Sequence, residues 1–126
     1  MYLVRLRVPE QDIFQPGAWI ILNKQNKLDE AELLYKRVLE GQEEMLGSNH
    51  SYTLTTVNNL AFLLKTQGKI NEAIPLFERE LRGMEEIHGR NHPDTIYSAK
   101  NLVKLLKQQG RIDEANALVQ EYELNK

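Results

Sequence analysis

Three lysines offer the first chemistry. Lys100, Lys104 and Lys107 stand at i, i+4 and i+7, a spacing that makes one stripe on a helix. A lysine stripe beside asparagines can hold an acidic segment or a C-terminal carboxylate, through charge and through amide hydrogen bonds to an extended backbone. The plainer reading of such a stripe is a solvated helix face, and the sequence leaves both open. Lys65 falls 42 residues before Lys107. The histidines offer a second chemistry. His88, His92 and Asp94 are close in sequence, but zinc asks for three or four ligands converging tetrahedrally, and the chain has no cysteine. His50 recurs 42 residues before His92, with Leu46 and Tyr52 where His88 and Asp94 would stand. A role at helix starts is therefore expected rather than a metal site. Catalysis has no nucleophile elbow, phosphate loop or H-E-x-x-H to rest on. Glu43, Glu44, Glu85 and Glu86 read as solvated charge on outer helix faces. The expectation is a non-enzyme with no cofactor and no metal.

The elements that position these residues repeat. Shifted by 42, Gly47 falls on Gly89, Asn49 on Asn91, His50 on His92 and Thr53 on Thr95. Asn59-Leu60 falls on Asn101-Leu102, and Gln67-Gly68 on Gln109-Gly110. Earlier, Glu30-Ala31, Leu34 and Gly41 match Glu72-Ala73, Leu76 and Gly83. A fixed period of this size means a stacked array of helix pairs.

Apolar residues at helical spacing predict the elements in order. A short, atypical helix covers Ala18 to Gln25, begun by Pro16 and stopped by Asn26. The next runs from Leu28 to Leu46, with Leu28, Ala31, Leu34, Tyr35, Val38 and Leu39 inward. A third covers Ser51 to Gln67, capped by Ser51 or Asn49, with Leu54, Val57, Leu60, Ala61 and Leu64 inward, and stopped by Gly68. A fourth runs from Ile70 to His88, with Ile70, Ala73, Leu76, Phe77, Leu81 and Met84 inward and Pro75 in or just past its first turn. A fifth covers Pro93 to Gln109, with Ile96, Ala99, Leu102, Val103 and Leu106 inward. The last runs from Ile112 to Leu124, with Ile112, Ala115, Leu118, Val119 and Tyr122 inward. Gly41 and Gly83 sit inside helices, where glycine costs roughly 1 kcal/mol against alanine. Close helix approach, a bend, or simple tolerance are all open. Trp19 either covers the first pair or marks an exposed contact.

After the core is assigned, Thr55, Asn58, Phe62, Lys65 and Thr66 remain on the third helix. Tyr97, Lys100, Lys104, Lys107 and Gln108 remain on the fifth. Asn59 and Asn101 share one position and suit a bond between helices, with a binding role as the second choice. Tyr35 and Phe77, at repeated register, read as core.

The bulk values are ordinary for a soluble globular protein. The chain has 126 residues, 41% hydrophobic and 27% charged, with a formal net charge of -2. No global field points to nucleic acid or a membrane surface. No apolar run is long enough to span a bilayer. The absence of cysteine fits a reducing, cytoplasmic setting. Residues 1–14 lie outside the repeat. Val4, Leu6 and Val8 alternate with Arg5 and Arg7 up to Pro9, so a short strand, an ordered arm or a disordered leader are each open.

The blocks NNLAFLLKTQGKINEAIPLFERELRGMEEIHGRNHPDT and LLKQQGRIDEANAL resemble the tetratricopeptide repeat. The 42-residue period and the G-x-x-H-P-x-T linker are similar to its long-helix variety, seen in kinesin light chains and nephrocystin-like proteins. The resemblance covers Ala18 to Leu124. It places packing positions at Leu60, Ala61, Leu64, Gly68, Ala73 and Phe77, and at Leu102, Val103, Leu106, Gly110, Ala115 and Val119. Val103 and Glu80 depart from the small residues usual there, and Ser51 from the linker proline.

The resemblance implies an all-α, right-handed solenoid of antiparallel helix pairs, with the first helix of each pair lining a concave face. A non-repeat arm (1–14) would precede a repeat domain (15–126), made of a degenerate repeat (15–46) and two full ones (51–88 and 93–124). The expected function is protein–protein interaction. An acidic peptide or a helix would bind at Thr55, Asn58, Asn59, Phe62, Lys65, Tyr97, Lys100, Asn101, Lys104 and Lys107. The alternative is a structural fragment of a longer array that self-associates through uncapped ends. A kinesin light chain-like cargo adaptor is one form of the first reading.

Overall fold

A computed structural model describes residues 15–18, 20 and 27–125. The described residues form five α-helices and no strand: α1 (Leu28–Leu46), α2 (Ser51–Thr66), α3 (Ile70–His88), α4 (Pro93–Gln108) and α5 (Ile112–Glu121). The arm of residues 1–14, Trp19 and the Asn26 stop lie outside the described residues. Of the short first helix, only Ala18 and Ile20 are described, both helical. The chain divides into two compact units, Met1–Leu76 and Phe77–Lys126, with the boundary inside α3.

In the first unit α1 packs on α2. The four-residue connection makes such neighbours antiparallel. From α1, Ala31, Tyr35 and Leu39 are buried, while Leu28, Leu34 and Val38 are half-buried. From α2, Leu54, Val57, Leu60, Ala61 and Leu64 are buried as expected, and so are Thr53, Thr56, Asn59 and Leu63. That arc is wider than one stripe, so α2 is covered on more than one side. Polar ties fix the ends. Glu32, 8% exposed, accepts from Lys36 at 2.7 Å and Lys69 at 2.9 Å. The Lys36 and Lys69 ammoniums hold its carboxyl down at about 2 against burial, which opposes them. Gln67 Nε2 donates to Asp29 Oδ1 at 2.8 Å.

In the second unit α4 packs on α5. Ala99, Leu102, Val103 and Leu106 are buried with Leu105 and Thr95. From α3, Phe77 and Leu81 are buried. Glu80 is also buried, and its Oε1 accepts from the Ser98 hydroxyl at 3.4 Å, so the carboxylate replacing a small residue has a polar neighbour.

Two sequence expectations need correction, and two open ones are narrowed. First, α5 ends at Glu121, not Leu124. Leu124 N–H bonds Val119 O at 2.9 Å, Glu123 N–H bonds Gln120 O at 3.3 Å, and Glu123 takes φ 54. This is the double-bonded left-handed stop normally built on glycine, so no residue type announced it. Second, Ile112 is 47% exposed, since it opens α5 beside the exposed Asp113 and Glu114. Third, of the two places open to Pro75, the structure takes the one just past the first turn of α3. Pro75 and Asn71 are exposed, so water can take the carbonyl that the proline leaves without a donor. Fourth, Gly41 is exposed, and a Cβ there would meet nothing within 4 Å, which removes close approach as its reason.

Candidate functional site

The faces singled out from the sequence lie on α2 in the first unit and on α4 in the second. On α2, Thr55 is half-exposed and its hydroxyl donates to Ser51 O at 3.0 Å. Asn58 is half-buried and has a partner within the molecule. Lys65 is exposed, its ammonium 5.7 Å from the centroid of the half-buried Phe62 ring. Asn59 is fully buried. Its Oδ1 accepts from Gly17 N–H at 3.0 Å and its Nδ2 donates to Gln15 O at 2.8 Å. Both ends of that amide are therefore spent on the turn at residues 15–17, and it offers nothing to a partner.

On α4, Tyr97 is 68% exposed, Asn101 is half-buried, and Lys100, Lys104 and Lys107 are exposed. Tyr97 stands three residues before Lys100, so all four long side chains share one helix face. Among the described residues no ion pair forms to these three lysines. That face offers three ammonium groups and a phenol.

A second feature recurs in both units, the linker G-x-x-H-x-x-T. Gly47 ends α1 at φ 92 and ψ 163, a conformation essentially confined to glycine. Gly89 follows α3 at φ 92. Thr53 Oγ1 donates to Gly47 O at 2.9 Å, and Thr95 Oγ1 to Gly89 O at 2.8 Å. The N-cap of α2 is His50, not Ser51 or Asn49. Its Nδ1 accepts from Tyr52 N–H at 3.1 Å. Ser51 is already the first helical residue, one place too late to cap. His92 caps α4 the same way, Nδ1 accepting from Asp94 N–H at 3.1 Å. The His92 ring stacks on His88 at 4.4 Å between centroids, and its Nδ1 lies 3.9 Å from Asp94 Oδ2. The matching glycines, histidines and threonines were visible in the sequence. The hydroxyl-to-carbonyl lock was the part their spacing did not disclose.

The second unit also holds a polar network at the end of α5. Tyr122 is 2% exposed, with the Arg82 and Arg90 guanidiniums 5.8 and 5.2 Å from its ring centroid. Its hydroxyl donates to Glu85 Oε1 at 2.7 Å and accepts from Arg82 at 2.7 Å. Glu121 bonds Arg82 at 2.8 Å, and Arg90 pairs with Glu85 at 2.7 Å. Burial first, then the bond to Glu85, pushes the Tyr122 hydroxyl up to about 12. The Tyr122 bond and then Arg90 hold the Glu85 carboxyl below its ordinary value. Glu85 is thus part of a half-buried network, not the solvated charge expected of it.

Against known proteins, a family model described as the tetratricopeptide repeat matches residues 20–83 and, again, residues 52–123. No curated protein matches the chain.

Proposed function

Because the chain belongs to the tetratricopeptide repeat family, whose repeats are non-catalytic and generally mediate protein–protein interaction, we propose that it recognises an acidic, extended peptide through the α4 face. The observation behind this reading is the exposed stripe of Lys100, Lys104 and Lys107, which finds no ion pair among the described residues. Tyr97 adds an aromatic surface one turn away that can take an aliphatic side chain or stack on a peptide plane. Lys65 and Phe62 give α2 a smaller version of the same pair. Asn59 is left out of the binding set because its amide is already bonded.

Within the family we assign the chain to the long-helix, kinesin light chain-like and nephrocystin-like variety, on its period and linker, with cargo adaptation as one use of such a face. No described helix is long and apolar enough to cross a membrane, and a chain without cysteine suits a cytoplasmic location.

Calorimetry with a glutamate-rich peptide ending in a free carboxylate tests the reading, with its glutamine counterpart as control. The acidic peptide should bind more tightly, and added salt should weaken it. Lys100→Ala combined with Lys104→Ala should weaken it by about fivefold to tenfold, given about 0.5 kcal/mol or more per exposed charge contact. Equal binding of both peptides, or an unchanged double variant, would remove the α4 face from the proposal.

A further inference from the structure

The repeated linker makes the starts of α2 and α4 depend on the protonation of two histidines. Each cap is the unprotonated Nδ1 of an imidazole, accepting from the backbone N–H two residues on: Tyr52 for His50 and Asp94 for His92. A neutral imidazole has one acceptor nitrogen, whereas the protonated ring has two donors and none. Imidazole is also the side chain that gains a proton in mildly acidic solution. The positive end of each helix further opposes a cation at that position. We propose that the G-x-x-H-x-x-T linker is a pH-sensitive device, holding α2 and α4 capped at neutral pH and releasing both caps as the rings protonate.

The two copies have different surroundings. Around His50, the Tyr52 ring lies 5.0 Å away between centroids, and no ion pair to the imidazole forms among the described residues. Around His92, the Asp94 carboxylate lies 3.9 Å away on α4 and His88 stacks on the ring from the end of α3. His50 is therefore the cleaner half of the device. The Thr53 and Thr95 bonds to the glycine carbonyls do not titrate, so the linker path stays fixed while the cap is lost. The device stands whether or not the α2 and α4 faces bind a peptide.

Equilibrium denaturation of the full chain at pH 7.5 and 5.5 tests it, in a three-way comparison. Asparagine caps as well as any residue and does not titrate, so His50→Asn with His92→Asn should match wild type at pH 7.5. Wild type should then lose more stability on acidification than this variant. The excess should be about fivefold in the unfolding constant for the His50 cap alone, and at most about twenty-fivefold for both. His50→Ala with His92→Ala should be weaker than wild type at pH 7.5. Groups that touch neither histidine are common to all three proteins and cancel in the comparison; His88 and Asp94 touch His92, so His50→Asn alone is measured beside the double variant and should keep about half of its effect. Parallel acid losses in wild type and the asparagine variant would overturn the proposal, as would an alanine variant equal to wild type at pH 7.5. Nitrogen NMR of the wild-type histidines decides independently of any variant: the proton of each neutral ring should sit on Nε2, and a proton on Nδ1 at pH 7.5 would overturn the assignment.

Discussion

Tyr35 carries a hydroxyl that costs stability. The side chain is 1% exposed, and its oxygen has no hydrogen-bond partner among the described residues. Burial alone pushes its ionisation up, as a desolvated phenol requires. One repeat later the same position is Phe77, buried without that oxygen. Tyr35→Phe should therefore raise stability, by about 1 kcal/mol, seen as a later midpoint in urea with an unchanged slope. A drop of similar size would mean that the hydroxyl has a partner after all. Residue pattern revealed that Tyr35 is core, but not that its oxygen is stranded, because satisfaction is a property of neighbours. His50 shows the reverse case. Its recurrence signalled a role at a helix start, yet cap preferences pointed to Ser51 or Asn49, since the deciding fact was which residue is the last with extended backbone.

At the scale of elements, the sequence was most readable where apolar spacing and glycine stops agree. α1 and α3 begin and end where their patterns do, at Leu28–Leu46 and Ile70–His88. Spacing was less informative for α2 and α4, which bury Leu63 and Leu105 outside the expected stripe. A one-faced template cannot register a helix covered from two sides. Nor could spacing show Glu32 reaching across 37 positions to Lys69. That tie gives α1 a pH dependence with a definite sign. The folded carboxyl titrates at about 2 and an ordinary one at about 4.5. Its contribution is therefore full above roughly pH 5.5, and is lost as pH falls from the ordinary value through the folded one. Lys36 and Lys69 are about half exposed, at 50% and 41%, so solvent screening reduces the contribution to about 1–2 kcal/mol. Glu32→Gln should lose that amount at pH 7, and the gap to wild type should narrow steadily below about pH 5.5, with most of it gone by pH 2.5. A gap that stays constant with pH would show that Glu32 acts through packing rather than charge.

For the whole molecule, the open question in the sequence was whether unburied apolar surface drives copies together. α5 puts Ala115 and Leu118 inside, with Tyr122 just past its end, and leaves Ile112 as its one large apolar side chain rated exposed. Beyond the last helical turn the surface is charged, because Arg82, Arg90, Glu85 and Glu121 surround the Tyr122 ring. Elsewhere Leu33 and Ile87 are exposed singly on α1 and α3, and Met45 and Leu46 together at the end of α1, an amount of exposed apolar surface that is ordinary for a folded chain. Light scattering behind a sizing column should accordingly give a mass near 14.6 kDa that does not change with loading concentration. A mass that climbs with concentration would put self-association ahead of peptide recognition. Ile112→Lys would then locate the contact: restored monomer places it at the start of α5, and continued association places it on another surface.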